Sequence, residues 1–356
     1  MKIKIISLLT ILLFSLNACF ADDTSKPEKP KEAIISAGIF GVNLAGAEFG
    51  EAMPGVFNQD YTYPTVAELD YFKSKGLKLI RLPFRWERLQ PVLGAELDKS
   101  ELKRLKDFVE EAAKRDIFIL LDLHNSARYA LNGKEIRIGS SLVTTSHIRD
   151  LWTKLAAEFK NHKNIWGYGI MNEPADMANK THWFGIAQEI ITGIRTKDTA
   201  TAIVVGGDSW SSAERWPEES DNLKNLKDPS NNLIFEAHVY FDKDASGQYL
   251  GSYDDEEANP MTGVKRVQPF IDWLKSNNLR GFIGEYGVPN DDDRWKVTLD
   301  NFLNHLAKNC LNGTYWAAGP WWGEYPLSLE IKDDGADQNQ MAIVKNYSQV
   351  VKSCSY

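Results

Sequence analysis

The sequence is poorest in the groups that most often announce a function. It holds three cysteines and six histidines in 356 residues. The histidines form neither a His-Glu-x-x-His pair nor a closely spaced triad, which argues against a zinc hydrolase. A Gly-x-Ser-x-Gly elbow is missing too, and with it the sequence signature of a serine hydrolase. Positive charge is not in excess: 41 Lys and Arg stand against 49 Asp and Glu, a net charge of −8 without a basic stripe, which argues against a nucleic-acid partner. The amino-terminal apolar run, Ile5 to Leu16, is too short for a membrane span, which needs about 20 residues.

What that run does resemble is an export signal. Lys2 and Lys4 precede it and small residues follow. Two cleavage readings stand. Leu16-Asn17-Ala18-Cys19 is similar to a bacterial lipobox, which would make Cys19 a lipidated first residue, whereas Cys19-Phe20-Ala21 would serve as an ordinary small-residue site. The expected division is a signal over 1–21, a short charged tether over 22–34 with Pro27 and Pro30, and a catalytic domain over 35–356. The chain is expected to be exported, as an outer-membrane lipoprotein or as a secreted or periplasmic monomer, and to meet a membrane only through that anchor. An oxidising compartment permits Cys310 and Cys354 to pair; the other reading is two unpaired buried thiols.

From residue 38 onward a short apolar run followed by a segment of helical period recurs eight times. The strand candidates are Gly38–Leu44, Leu77–Leu82, Ile117–Leu123, Ile165–Met171, Ala202–Gly206, Leu233–Val239, Gly281–Glu285 and Gly313–Ala317. Most are apolar on both faces, as buried parallel strands must be. Thr65-Val-Ala-Glu68 is a capping box that opens the first helix. Apolar stripes such as Leu102, Leu105, Phe108, Val109 and Ala112 mark the later ones, and only Trp210 to Asn232, with Pro217 and Pro229, reads as short or irregular. The alternation predicts an α/β fold, a single-domain (β/α)8 TIM barrel. A doubly wound sheet would need a phosphate-cradling turn, and Gly41-Val-Asn-Leu-Ala-Gly46-Ala-Glu-Phe-Gly50 has the wrong glycine spacing.

In such barrels the active site lies at the carboxyl ends of the strands. Arg81, His124, Asn125, Asn172, Glu173, His238, Tyr240, Glu285 and Trp316 all sit at or near those ends. Glu173 and Glu285 would face each other across the barrel mouth. A carboxyl pair about 5 Å apart performs retaining glycoside hydrolysis, and one about 6.5 to 9.5 Å apart leaves room for water and inverts. In a retaining reading Glu173 is the general acid/base, which must start protonated, and Glu285 the nucleophile. Asn172 would hold the sugar 2-hydroxyl, while Arg81 and Tyr240 would keep Glu285 ionised. Eleven tryptophans, several beside Gly, Pro or Ser, suit flat sugar faces. Trp316 is expected to stack at the cleavage site, with Trp210, Trp321, Trp322 and Trp183 as further platforms, and Trp152 and Trp273 belong to helix stripes. The acidic run Asp254 to Glu257 reads as a solvated loop rather than a calcium site, and Asp291 to Asp293 as a helix cap. Sequons occur at Asn179, Asn312 and Asn346.

Seven segments in order, among them Ile80-Arg-Leu-Pro83, Asp122-Leu-His-Asn125, Asn172-Glu-Pro174, Glu236-Ala-His-Val-Tyr240, Gly284-Glu-Tyr-Gly287 and Trp316-Ala-Ala-Gly-Pro-Trp-Trp322, resemble glycoside hydrolase family 5 over nearly all of residues 36 to 350. The similarity is to the cellulase branch that includes many fungal endoglucanases. It carries family roles onto Arg81, His124, Asn172, Glu173, His238, Tyr240, Glu285 and Trp316, and it implies retention of configuration and no cofactor or metal. The implied activity is an endo-β-1,4-glucanase acting on cellulose-type β-glucan. Xyloglucan, mixed-linkage glucan or mannan are the other substrates in the class, and a glycan-binding surface lipoprotein that does not cut is the reading outside it. Unlike many secreted members, the chain shows no cellulose-binding module with a Ser/Pro-rich linker, which points away from crystalline cellulose.

Overall fold

The computed structural model describes residues 40–176 and 180–348. The signal, Cys19, the tether, Gly38, Asn179 and Cys354 lie outside the described residues. In chain order the elements are β1 (Gly41–Leu44), α1 (Val66–Ser74), β2 (Leu79–Phe84), α2 (Trp86–Leu89), α3 (Lys99–Ala113), β3 (Phe118–Leu123), β4 (Arg128–Leu131), β5 (Lys134–Arg137), α4 (Thr145–Phe159) and β6 (Ile165–Gly169). There follow α5 (Lys180–Arg195), β7 (Ala202–Gly206), α6 (Trp216–Glu219), β8 (Leu233–His238), α7 (Thr262–Asn277), β9 (Gly281–Glu285), α8 (Asp293–Lys308), β10 (Thr314–Ala318) and α9 (Met341–Tyr347).

Eight parallel strands run in the order β10-β1-β2-β3-β6-β7-β8-β9. The ring closes between the two ends of that order: Ile283 bridges Gly313, and the Trp316 N–H donates to the Tyr286 carbonyl at 2.8 Å. This is the (β/α)8 barrel expected from the alternation. After β7 the helical layer is reduced to α6 and a 3₁₀ turn over Asp221–Asn225, where the sequence predicts a short or irregular helix. The remaining small sheet, β4 paired antiparallel with β5, was not expected.

Strand periodicity sets what the barrel encloses. Successive side chains alternate between the interior and the helix layer, so residues two apart share a face. On the interior face, Leu79, Leu120 and Ile234 belong to a small apolar cluster with Trp166, Val204 and Phe282. Two residues further along the same strands stand Arg81, Asp122 and Glu236, all buried. His124 and His238 come two residues later still. The barrel therefore has an apolar floor, a charged layer above it and the site at the mouth. The other face of the strands packs against the helix stripes in the main core, where Trp152 and Trp273 are buried as expected.

Candidate active site

Glu285 ends β9 with its side chain only 5% exposed. Arg81 Nη1 donates to Oε1 at 3.1 Å, and the Tyr240 hydroxyl donates to Oε2 at 2.7 Å. Burial is the largest influence on this carboxyl and pushes its pKa up. His238 draws it down, Glu173 pushes it up again, and Arg81 draws it down, leaving a net rise. Arg81 and Tyr240 both donate to this carboxyl, which opposes the effect of burial without overcoming it. Tyr240 stays a neutral donor, since burial and Glu285 raise its pKa well above the ordinary value.

Glu173 follows β6 in the left-handed region, at φ 44°, immediately before Pro174. A non-glycine residue there is strained and must be held by its surroundings. Part of that hold is visible: the Trp210 N–H donates to the Pro174 carbonyl at 3.3 Å. The Glu173 side chain is 24% exposed, far more open than Glu285, and its Oε1 lies 2.8 Å from His238 Nδ1. One ligand atom each from Glu173, His238 and Glu285 lie within 4.8 Å of one another.

The two histidines have different surroundings. The His238 ring is hydrogen-bonded to two carboxylates, Glu173 at 2.8 Å on Nδ1 and Glu236 at 3.1 Å on Nε2, and a third, Glu285, lies 3.4 Å from Nδ1. Burial lowers its pKa, but these three carboxylates outweigh it and raise it to about 10. His124 donates from Nδ1 to Asp122 at 2.9 Å, while its Nε2 faces the Asn172 amide nitrogen at 3.3 Å. Burial lowers its pKa and Asp122 raises it, with a net rise. The amide contact points the other way. Asn172 Oδ1 is fixed by Arg81 Nη2 at 2.7 Å, so its nitrogen must face His124, and only the neutral ring can accept from it. The hydrogen bonds on both ring nitrogens thus suit the neutral His124 ring.

Arg81 is fully buried and joins these parts. Besides Glu285 and Asn172 it contacts Asn43 at 2.9 Å, Asp122 at 3.0 Å and Glu236 at 2.9 Å. Burial lowers its pKa, but these carboxylates raise it further, so it stays charged. Asn43, Asp122 and Glu236 are functional neighbours that the sequence reasoning did not single out. The signal was present for two of them: Asp122-x-His124 and Glu236-x-His238 have the strand period, which puts each carboxylate beneath its histidine. Glu48 was also missed. It follows β1, accepts from the Gly46 N–H at 2.8 Å, and burial pushes its carboxyl up to about 6.

The aromatic residues divide. Trp316 stacks on His124 with ring centroids 5.5 Å apart and meets Trp322 edge-on. Trp322 stacks in turn on Tyr325 at 4.3 Å, and Trp321 is 43% exposed. Trp210, 44% exposed, lines an open cleft of about 760 Å³ together with Glu173, His238 and Tyr240. Trp183 is corrected: it is fully buried on α5, with its indole N–H donated to the Gly206 carbonyl at 2.9 Å, so it has no face to offer a sugar. Asn125 is also structural, accepting from the Trp86 N–H and donating to Glu87. The acidic run is paired rather than metal-like: Asp254 meets Arg294, and Glu256 accepts from backbone N–H groups of Lys243 and Gly251. Asp292 caps α8.

Two carboxyls facing each other at the mouth of a (β/α)8 barrel, one buried against an arginine and one open to the cleft beside aromatic faces, define a glycoside hydrolase. Residues 36–321 match the family model described as cellulase (glycosyl hydrolase family 5), and the chain belongs to that family. It is 34% identical over 313 residues to the endo-beta-1,4-glucanase B of Emericella nidulans, covering 86% of this chain and 90% of that one. Among solved structures, Pseudomonas stutzeri endoglucanase Cel5A in complex with cellobiose is 38% identical with a TM-score of 0.84, covering 89% of this chain and 94% of that one. XacCel5A in complex with cellopentaose is 38% identical with a TM-score of 0.81, covering 88% and 99%.

Proposed function

We propose that the protein is a retaining endo-β-1,4-glucanase, with Glu173 as general acid/base and Glu285 as nucleophile. The observation that supports the mechanism is that an oxygen of Glu173 and an oxygen of Glu285 lie within 4.8 Å of each other, a closeness that favours double displacement over the wider spacing of about 6.5 to 9.5 Å that inversion needs. A glucan substrate is supported by the relatives, named for β-1,4-glucanase activity or solved with cellobiose and cellopentaose, more than xyloglucan or mannan is.

In the first step a Glu285 oxygen forms a bond to the anomeric carbon. The bond to the leaving oxygen breaks as that oxygen takes the Glu173 proton. Esterification removes the Glu285 charge. Glu173, now a carboxylate accepting from His238, takes a proton from water as the water oxygen displaces Glu285 from carbon. Trp316, stacked on His124 and meeting Trp322, and Trp210, which lines the cleft with Glu173, would offer aromatic faces to more than one sugar ring, which suits cleavage within a chain. The reaction needs no cofactor. Export is inferred from the signal pattern, with Cys19 as the lipid attachment and Cys310 and Cys354 as a disulfide, in a protein acting as a monomer.

Azide kinetics with a dinitrophenyl cellobioside test the roles. Glu173→Ala should form the glycosyl-enzyme and stall, and azide should restore turnover with a β-glycosyl azide as product. Glu285→Gly should yield the α-azide by direct displacement. The opposite pair of configurations would exchange the two roles, and an α-configured product from wild-type enzyme would end the retaining mechanism.

A further inference from the structure

The donors to the two catalytic carboxyls meet on one atom. Glu236 Oε1 lies 2.9 Å from Arg81 Nη2 and 3.1 Å from His238 Nε2. The other guanidinium nitrogen of Arg81 reaches Glu285, and the other ring nitrogen of His238 reaches Glu173. The connection therefore runs Glu285, Arg81, Glu236, His238, Glu173. Glu236 is buried at 3% exposure and packs against Gly284, the residue before the nucleophile, where an added Cβ would fall 2.1 Å from Oε1.

We propose that Glu236 is a positioning residue that keeps His238 doubly protonated and Arg81 fixed, so that one buried carboxylate sets the orientation and charge of the donors to both catalytic carboxyls. The proposal rests on the roles given above to Glu173 and Glu285. Its physical basis is the accounting of protons. Arg81 has only donors to offer, and an anionic oxygen can accept from it and from a ring N–H together. Glu236 is that anion: burial pushes its carboxyl up, but Arg81 and His238 outweigh burial and hold it below the ordinary value. The groups facing His238 are Glu173 beyond β6, Glu285 on β9 and Glu236 on its own strand; Arg81 on β2 lies beyond Glu236, and the Tyr240 hydroxyl is spent on Glu285. A neutral glutamine at 236 would remove one of three anions, while its single carbonyl oxygen could still accept from Arg81 and from His238. His238 would then lose its second proton at lower pH, and Glu173 would lose a charged donor when it acts as base.

Histidine ¹⁵N spectra of the full protein read this state directly, with the His238 signal identified by its loss in His238→Asn. In the wild type the ring should carry two protons at neutral pH. In Glu236→Gln its titration midpoint should fall by about one unit or more. The alkaline limb of kcat on cellopentaose should fall with it, and kcat should drop about a hundredfold while KM changes little. A packing residue would alter stability without moving the ring's titration or that limb. A neutral His238 in the wild type at pH 7 would overturn the proposal without any variant being needed, as would a Glu236→Gln enzyme whose kcat profile coincides with the wild type. Misassigned catalytic roles would instead appear in the azide product configurations, which the Glu236 proposal does not affect.

Discussion

Three charged or hydrogen-bonding partners surround Glu285, and each acts on its charge by a different route. Arg81 contributes a fixed positive charge, His238 a positive charge that depends on pH, and Tyr240 a neutral hydrogen bond. Tyr240→Phe removes only the last. Glu285 works as an anion, so activity rises as pH climbs through its pKa. The lost hydrogen bond favours the protonated form, and the acid limb of kcat/KM should therefore move to higher pH, by about one unit or less, while the alkaline limb stays in place. A pH series on cellopentaose checks both limbs. Residue type and strand position pointed to Arg81, His238, Tyr240 and Glu285 in the sequence, and in the fold the first three all contact Glu285. Trp183 is not a sugar platform because it lies three residues before Ile186 on the stripe of Ile186, Ile190 and Ile194, a periodicity that puts it in the core.

At the scale of elements, the strands and helices follow their sequence signals closely. The Thr65 capping box forms as written, with Thr65 N–H donating to Glu68 Oε2 at 2.6 Å. The β4–β5 hairpin was the element overlooked, although its turn is spelled out by Asn132-Gly133, at φ 53° and 72°. Its strands are short and half-exposed, which makes their alternation weak, and it sits inside a loop where a barrel repeat predicts none. The hairpin carries Tyr129, buried edge-on against Trp86, and Arg128, paired with Asp176 just beyond Pro174. Gly133→Val should cost about 1 to 2 kcal/mol in urea unfolding, because the left-handed backbone excludes a β-branched residue. No atom lies within 4 Å of the added Cβ, so the loss is conformational, and KM on cellopentaose should not change.

For the whole molecule, the proposed lipid attachment at Cys19 makes a prediction of its own. If Cys19 is lipidated, the wild type expressed in a Gram-negative host should fractionate with membranes and Cys19→Ser should release it with its activity intact. Soluble wild-type protein beginning at Asp22 would assign the ordinary cleavage site instead. The barrel itself was determined by the sequence, because a period of two inside strands, a helical period between them and an eightfold alternation leave few other ways to bury the apolar faces. So were the chemical types at the strand ends. Tertiary structure alone decided the separation of Glu173 and Glu285 and the meeting of Arg81 and His238 on one oxygen of Glu236. These depend on closure of the ring, which brings β2, β6, β8 and β9 around one axis, and a linear pattern encodes no distance between strands so far apart in the chain.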